Sequence, residues 1–435
     1  MPCIAQRLEW TEPSFSARSV VVDELVVAGP AGDAARASFF RALDEVDMLV
    51  CVGVVDAAHA TFLVKHTVGV PCAIAFACCD ALASASRLHY QPESALLSAL
   101  LTTLPWGRSN RDALLLENAR ELFSRNTPSD FLYALLVLLD GAVAPVRTLT
   151  VNRRTTLANL ACMLRNCGSQ VVDCVTDPRC KAALDCLEAC GLNDQVCSYR
   201  CITSYESPKF EAFALCNLQR HNCLGNHAER PLLPAMAPMA AFRGAALTHE
   251  IAEALLIGWL DTPGTLAAAP TRLQWSWKVV AGQNPAYDQF PAQHQIFYRG
   301  KGSSFWYDPV FKVRTVEGAW EWRGRHYRVK RDAQPGRFVF SVLDNGVTSL
   351  EHWAVVDVAD DLSWGLFAYN GAASAAGQAY GGAVFATPDG AWPAAHHLPR
   401  VAAAHAACGI QLWELHVVDN SPAVSAGAPL QLADQ

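Results

Sequence analysis

Ten of the sixteen cysteines fall between Cys162 and Cys223. That density could serve three kinds of chemistry: holding a metal, exchanging electrons, or cross-linking a segment too small to fold unaided. Spacing discriminates among them. Cys186 and Cys190 are four apart, as are Cys197 and Cys201, and residues four apart share one face of a helix. Between the pairs, Gly191 can end one helix and Asn193 or Asp194 can cap the next, so two antiparallel helices would face each other. That geometry predicts nested bridges, Cys190–Cys197 near the turn and Cys186–Cys201 further out. The stretch "CMLRNCGSQVVDCVTDPRC" repeats the arrangement. It predicts Cys167–Cys174 inside Cys162–Cys180, which leaves Cys216 to pair with Cys223.

Zinc is the competing chemistry, but structural zinc sites usually present C-x-x-C knuckles and this segment has none. Disulfides are therefore expected, and no metal. They meet a physical need, because a segment of roughly 65 residues buries too little core to be stable without staples. Such bonds persist in an oxidising compartment. The stretch MPCIAQRLEW has neither the basic-then-apolar form of a secretion signal nor the Ser/Arg-rich form of a transit peptide. An address absent from this sequence, or an unusual route, is the expectation that reconciles the two.

The elements that must position these groups follow from composition. A chain of 435 residues, 51% hydrophobic and 17% charged, reads as core-rich and globular with two to four domains. A net charge of −7 without a basic run argues against nucleic acid as a partner. No stretch of 18 uninterrupted apolar residues suggests a membrane span.

Within a domain expected over residues 1–150, residues 20–145 alternate short apolar runs such as "VVVDELVVAG", "DMLVCVGVV" and "VPCAIAFACC" with helix-length stretches, the pattern of parallel strands with crossovers. Two further helices are expected near 111–124 and 128–141. The turn "GPAGD" lacks both G-x-G-x-x-G and a Lys-Ser/Thr pair, so it reads as an ordinary strand-to-helix turn. Cys51, Cys72, Cys78 and Cys79 sit in or beside apolar runs and read as small core residues. The stapled helical segment spans 151–227, and the Pro/Ala/Met-rich 228–271 reads as a linker. Residues 421–435 read as a flexible tail.

From about residue 273 the period changes to two. Eight β-type segments, from "LQWSWKVV" to "AYGGAVFAT", are followed by the helical "PRVAAAHAACG" and a final strand "IQLWELHVVD". Eight strands in meander order match an up-and-down barrel of lipocalin type over 272–420. The whole is then a multidomain α+β protein: an N-terminal α/β domain, a disulfide-stapled helical segment and an eight-stranded barrel. Ten of the twelve tryptophans lie from Trp259 onward. They could line a slot for one elongated apolar ligand, or simply fill the barrel.

The cysteine-rich helices followed by "WSWKVVAGQNPAYDQF", "SFWYDPVF", "VDVADDLSWGLF" and "YGGAVF" resemble the violaxanthin de-epoxidase family, most of all its de-epoxidase-related members in plants and algae. The resemblance implies a chloroplast protein, in the thylakoid lumen, that removes epoxide oxygens from xanthophylls such as violaxanthin with ascorbate as co-substrate. Thylakoid galactolipid and a homodimer are the further partners it implies. A second class of function, a carotenoid- or lipid-binding lipocalin without turnover, stays open.

Opening an epoxide to an alkene needs an acid for the oxygen, a two-electron reductant and an apolar slot that excludes water. By the resemblance, the catalytic acid falls on Glu351, one methylene longer than the family's Asp, two residues before Trp353. A family tyrosine falls on Tyr369. Asp288, Gln293, Trp353 and Tyr380 are the candidate substrate-binding residues. A second family tyrosine is Ala386 here, and the two cysteines of the family's barrel disulfide are Ala292 and Ser421. His294 is offset by one from an acid-sensing family histidine and reads as an ordinary strand residue.

Overall fold

The computed structural model describes residues 2–30, 33–90, 128–150, 156–190, 194–258, 277–301 and 304–427. It contains two compact units, Met1–Arg147 with Gly191–Asp194, and Thr148–Cys190 with Gln195–Gln435. In the first, strands Met48–Val52, Cys72–Phe76 and Leu88–Tyr90 form a parallel sheet in that order. Helix Ala57–His66 joins the first two, started by the Asp56 side chain accepting from the Ala58 and His59 amides. Helix Pro128–Ala142 packs Val137 and Leu138 on Ile74 and Phe76. The helix expected near 111–124 lies outside the described residues. Cys51, Cys72 and Cys78 are buried thiols, and burial pushes that of Cys51 up to about 12, which keeps it protonated and inert.

The second unit begins with four helices: α1 (Leu157–Thr176), α2 (Pro178–Ala189), α3 (Gln195–Ser204) and α4 (Pro208–Ala214), the last running into a π-helical turn at Leu215–Arg220. Asp177 separates α1 from α2 by accepting from the Cys180 amide, with Pro178 at the first helical position. All ten cysteines of this segment are bridged. Cys186–Cys201 and Cys190–Cys197 form as the spacing predicts. The other three pairings differ from expectation: Cys162–Cys223, Cys167–Cys216 and Cys174–Cys180. The reason is helix length. Cys162, Cys167 and Cys174 share α1, where seven residues rise about 10 Å, beyond the span of a disulfide. Cys162 and Cys167 therefore reach across to Cys223 and Cys216, while Cys174 closes on Cys180 over the short Asp177 turn.

Eight antiparallel strands form a closed barrel: β1 (Trp277–Gly282), β2 (His294–Arg299), β3 (Phe305–Arg314), β4 (Trp320–Gly324 with Tyr327–Arg331), β5 (Arg337–Asp344), β6 (Val347–Val358), β7 (Gly365–Ala373) and β8 (Gln378–Thr387). Each pairs with its neighbour in sequence, and β8 pairs back onto β1. Alternation sets the faces: Phe305, Tyr307, Phe311 and Val313 of β3 are buried while their neighbours are not.

Three other readings are corrected. The expected linker carries helix α5 (His249–Ile257), whose Leu255, Leu256 and Ile257 enter the barrel core; the Leu255 carbonyl accepts from Trp277 Nε1 at 3.0 Å. The expected last strand is a 3₁₀ turn, Leu412–Glu414, and a two-residue strand, His416–Val417, on Ala281–Gly282. Because β2 already occupies Trp277–Lys278 of that edge, little of it stays open. The expected tail begins with a short helix, Pro422–Ser425, and residues 428–435 lie outside the described residues. Helix α6 (Leu398–Ala407) forms as expected and packs Val401 and Ala404 on Trp364, Leu366 and Phe385 outside the barrel.

The helices and the barrel pack into one body. Gln195 Nε2 donates to the Ala379 carbonyl at 2.8 Å and Arg323 Nε to the Thr203 carbonyl at 2.9 Å. Arg325, nearly enclosed, contacts Glu206 at 2.5 Å and Asp344 at 2.7 Å. Removing one partner of such a pair strands a buried charge.

Candidate active site

Strand β6 places Ser349, Glu351, Trp353 and Val355 on the inner face, because every second residue of a strand points the same way and all four are buried. Glu351 is 6% exposed. Its Oε2 accepts from Trp353 Nε1 at 2.7 Å, and its Oε1 from the hydroxyls of Tyr380 at 2.9 Å and Tyr327 at 3.2 Å. Tyr380 also bonds the Ser349 hydroxyl. Opposite Glu351 on β7 stands Gly371, where a Cβ would come within 2.8 Å of Glu351 Cγ and 2.9 Å of the Tyr380 ring. A glycine there makes room for the acid.

Burial raises the Glu351 pKa and the three donors oppose it, with burial prevailing. A carboxyl whose pKa burial raises in an apolar setting suits the part of a general acid. Stacked rings surround it. Trp353 lies on Phe340 at 4.6 Å and on Tyr369 at 5.1 Å, and Phe297 on Tyr307 at 4.5 Å. The Tyr369 hydroxyl turns away from the acid toward Asn284 and Gly382.

The structure thus gathers Glu351, Trp353, Tyr369 and Tyr380 inside the barrel and leaves Asp288 and Gln293 in the loop between β1 and β2. Asp288 accepts from the Asn284 amide at 2.6 Å. Its carboxyl lies where a Cβ on Gly282 would be, and burial raises its pKa to about 8. Gln293 Nε2 donates to the Phe290 and Tyr287 carbonyls and so fastens the loop. His294 is buried on β2, and burial lowers its pKa to about 4. Tyr327 was not anticipated; its signal was the inward parity it shares with Val329 on β4.

The tryptophan lining is corrected. Among the described tryptophans of this region, only Trp277 and Trp353 belong to the interior cluster. Trp364 packs under α6, Trp306 stacks on His326 at 4.4 Å, and Trp320, Trp392 and Trp413 are exposed. Phenylalanine and tyrosine rings occupy the interior instead. Ala386 belongs to that interior cluster and is fully buried. Where the resemblance implies a barrel disulfide, at Ala292 and Ser421, the Ala292 amide donates to the Asp419 carbonyl at 2.9 Å.

The VDE lipocalin domain model matches residues 159–420. Violaxanthin de-epoxidase of Arabidopsis thaliana, described as chloroplastic, is 21% identical over 49% of this chain and 42% of its own length. The Nicotiana tabacum enzyme is 20% identical over 54% of this chain and 45% of its own. The match therefore spans less than half of either relative. A siderocalin structure, Ex-FABP, aligns with 35% of this chain and 96% of its own at 8% identity and a TM-score of 0.26, a likeness too slight to argue from. With the model covering both the bridged helices and the barrel, this chain belongs to the violaxanthin de-epoxidase lipocalin family.

Proposed function

We propose that the protein is a xanthophyll epoxide oxidoreductase of the plastid, acting in the thylakoid lumen with ascorbate as reductant. The observation that carries this reading is Glu351, a buried carboxyl with raised pKa, held by Trp353, Tyr380 and Tyr327. In the reaction, Glu351 gives its proton to the epoxide oxygen and the C–O bond opens toward a carbon cation. Ascorbate monoanion supplies two electrons and the second proton, the remaining C–O bond breaks to release water, and Glu351 regains its proton from solvent, so the products are alkene, water and dehydroascorbate. Aromatic rings around the acid exclude water from the cation and face it with their π clouds. The five bridges agree with an oxidising compartment, and the relatives' chloroplastic names favour a plastid.

A second reading, a carotenoid- or lipid-binding lipocalin without turnover, is favoured by Ala386 standing where the family resemblance places a tyrosine. One experiment separates the two. Oxidised protein is incubated with violaxanthin, ascorbate and galactolipid from about pH 4.5 to 7.5, and pigments are followed by chromatography. De-epoxidised product that disappears with Glu351→Gln supports the oxidoreductase. A shifted pigment spectrum with no product at any pH supports the binding protein.

A further inference from the structure

Two of the bridges stand side by side. Cys186–Cys201 and Cys190–Cys197 both join α2 to α3, and Cys190 Sγ lies 3.6 Å from Cys201 Sγ, to which it is not bonded. The sulfurs of Cys190, Cys197 and Cys201 all lie within 4.8 Å of one another, and Cys186 is bonded to the last of them. Cys190 and Cys201 are buried, Cys186 and Cys197 half-buried. Among the described residues one other group brings three ligand atoms this close, Cys167, Cys216 and His221, and there His221 is exposed.

Four sulfurs so placed match a metal as well as two bridges. Thiolates around one Zn²⁺ stand about 2.3 Å from the ion, and therefore about 3.8 Å from one another at the corners of a tetrahedron. The unbonded pair at 3.6 Å already has that spacing. Each bonded pair would reach it by parting from a bond length to a contact, a change that side-chain torsions supply. The absence of C-x-x-C knuckles does not stand against this, because on helices it is four-residue spacing that sets two sulfurs on one face. A soft tetrahedral S₄ set selects zinc over hard cations. The ligand is the thiolate, so bridged sulfurs offer no site and reduced ones do.

We propose that, with these two bridges reduced, Cys186, Cys190, Cys197 and Cys201 hold one Zn²⁺ as a closed tetrathiolate site. Every newly made chain passes through that state, because bridges form only after the cysteines are in place. From the oxidised protein, two molecules of a dithiol reach it: each reduces one bridge and becomes a disulfide itself, and zinc then displaces four protons from the four thiols. In the other direction, an oxidant that accepts two electrons per bridge rebuilds both bridges and expels the ion. Zinc would thus keep α2 and α3 facing each other until oxidation locks them. The proposal is independent of the oxidoreductase reading.

The test uses the full chain, reduced with a phosphine so that no added thiol competes, freed of reductant without air, and titrated with Zn²⁺ or with Co²⁺ as the coloured probe. The reduced chain is expected to take up one equivalent, with the visible bands of tetrahedral thiolate cobalt, which zinc then abolishes. Zinc is expected to shield Cys186, Cys190, Cys197 and Cys201 from alkylation, read by peptide mapping, while Cys174 and Cys180 are labelled. The chain with its bridges intact retains its six unbridged cysteines and is expected to show neither the uptake nor the bands. Cys190→Ser/Cys201→Ser should lower zinc affinity at least about 100-fold, and Cys174→Ser/Cys180→Ser should leave it unchanged. No uptake by the reduced chain, or equal uptake by the bridged chain, overturns the proposal. So does affinity indifferent to Cys190→Ser/Cys201→Ser. Shielding of Cys167 and Cys216 instead would assign the ion to the group with His221 and overturn it too. The shielding pattern is read on wild type, so the outcome does not depend on how a variant folds.

Discussion

Trp353 Nε1 donates to Glu351 Oε2 at 2.7 Å, although the two residues are neighbours on one face of one strand rather than partners across the barrel. The indole fixes one carboxyl oxygen and leaves the other to the hydroxyls of Tyr380 and Tyr327. An acid so held keeps one orientation, which is what proton transfer to a bound epoxide requires.

Glu351→Gln keeps the size of the side chain and an oxygen acceptor but removes the transferable proton. De-epoxidation is expected to fall by about 10²-fold or more, while pigment binding, followed by the absorption shift, changes little. Full turnover in the variant would dismiss Glu351 as the acid.

Tyr380→Phe removes a hydrogen bond that favours the charged carboxylate, one of the groups that lowers the Glu351 pKa. The pKa should therefore rise further, and the high-pH limb of the turnover profile should move upward. A limb that stays in place or moves down would show that Glu351 does not set it.

The pairing of the bridges predicts unequal losses. Cys162–Cys223 and Cys167–Cys216 close separations of 61 and 49 residues, and Cys174–Cys180 closes 6. Loop-closure entropy assigns about 4 kcal/mol to a single long loop and about 2 to the short one. Replacing all four cysteines of the long pairs by Ser should lower the urea midpoint more than replacing Cys174 and Cys180. Peptide mapping without reduction should recover Cys162 joined to Cys223; recovery of Cys162 joined to Cys180 would refute the arrangement.

Asp288 and His294 give stability opposite pH slopes. Asp288 rises from 3.8 to about 8, so between those values the native state holds a proton that the unfolded state has lost, and stability falls as pH rises. His294 drops from 6.5 to about 4, so in that window stability falls as pH drops. Below 6.5 the two oppose each other. Between about 6.5 and 8 Asp288 acts without that opposition, and urea melts should lose up to about 1.4 kcal/mol per pH unit. Asp288→Asn should flatten that limb; an unchanged slope would show that Asp288 titrates normally.

Ala386→Tyr introduces the tyrosine that the family resemblance implies at this position, but inserts a ring where Ala386 is fully buried beside Trp277 and Val384. Overpacking is expected to cost about 1–3 kcal/mol, read as a lower thermal midpoint. A variant as stable as wild type and faster in turnover would mean that the interior opens to admit the ring.

Sequence alone determined the elements whose cause is local. Alternation in "FWYDPVFKV" set which residues of β3 face inward, and the same parity put Glu351 and Trp353 together. Four-residue spacing paired Cys186 with Cys201 and Cys190 with Cys197 because the helices that carry them are consecutive. Spacing shows which way a cysteine faces but not which distant element stands opposite, so Cys167, at a kink in α1, found Cys216 only when the helix ran on to Thr176 and carried Cys174 away. Tyr327 met Glu351, 24 residues away, by the same route: its hydroxyl reaches the carboxyl only once the barrel closes. The tertiary structure also decided what fills the interior, because whether rings stack or leave a slot depends on the volumes of side chains from all eight strands at once.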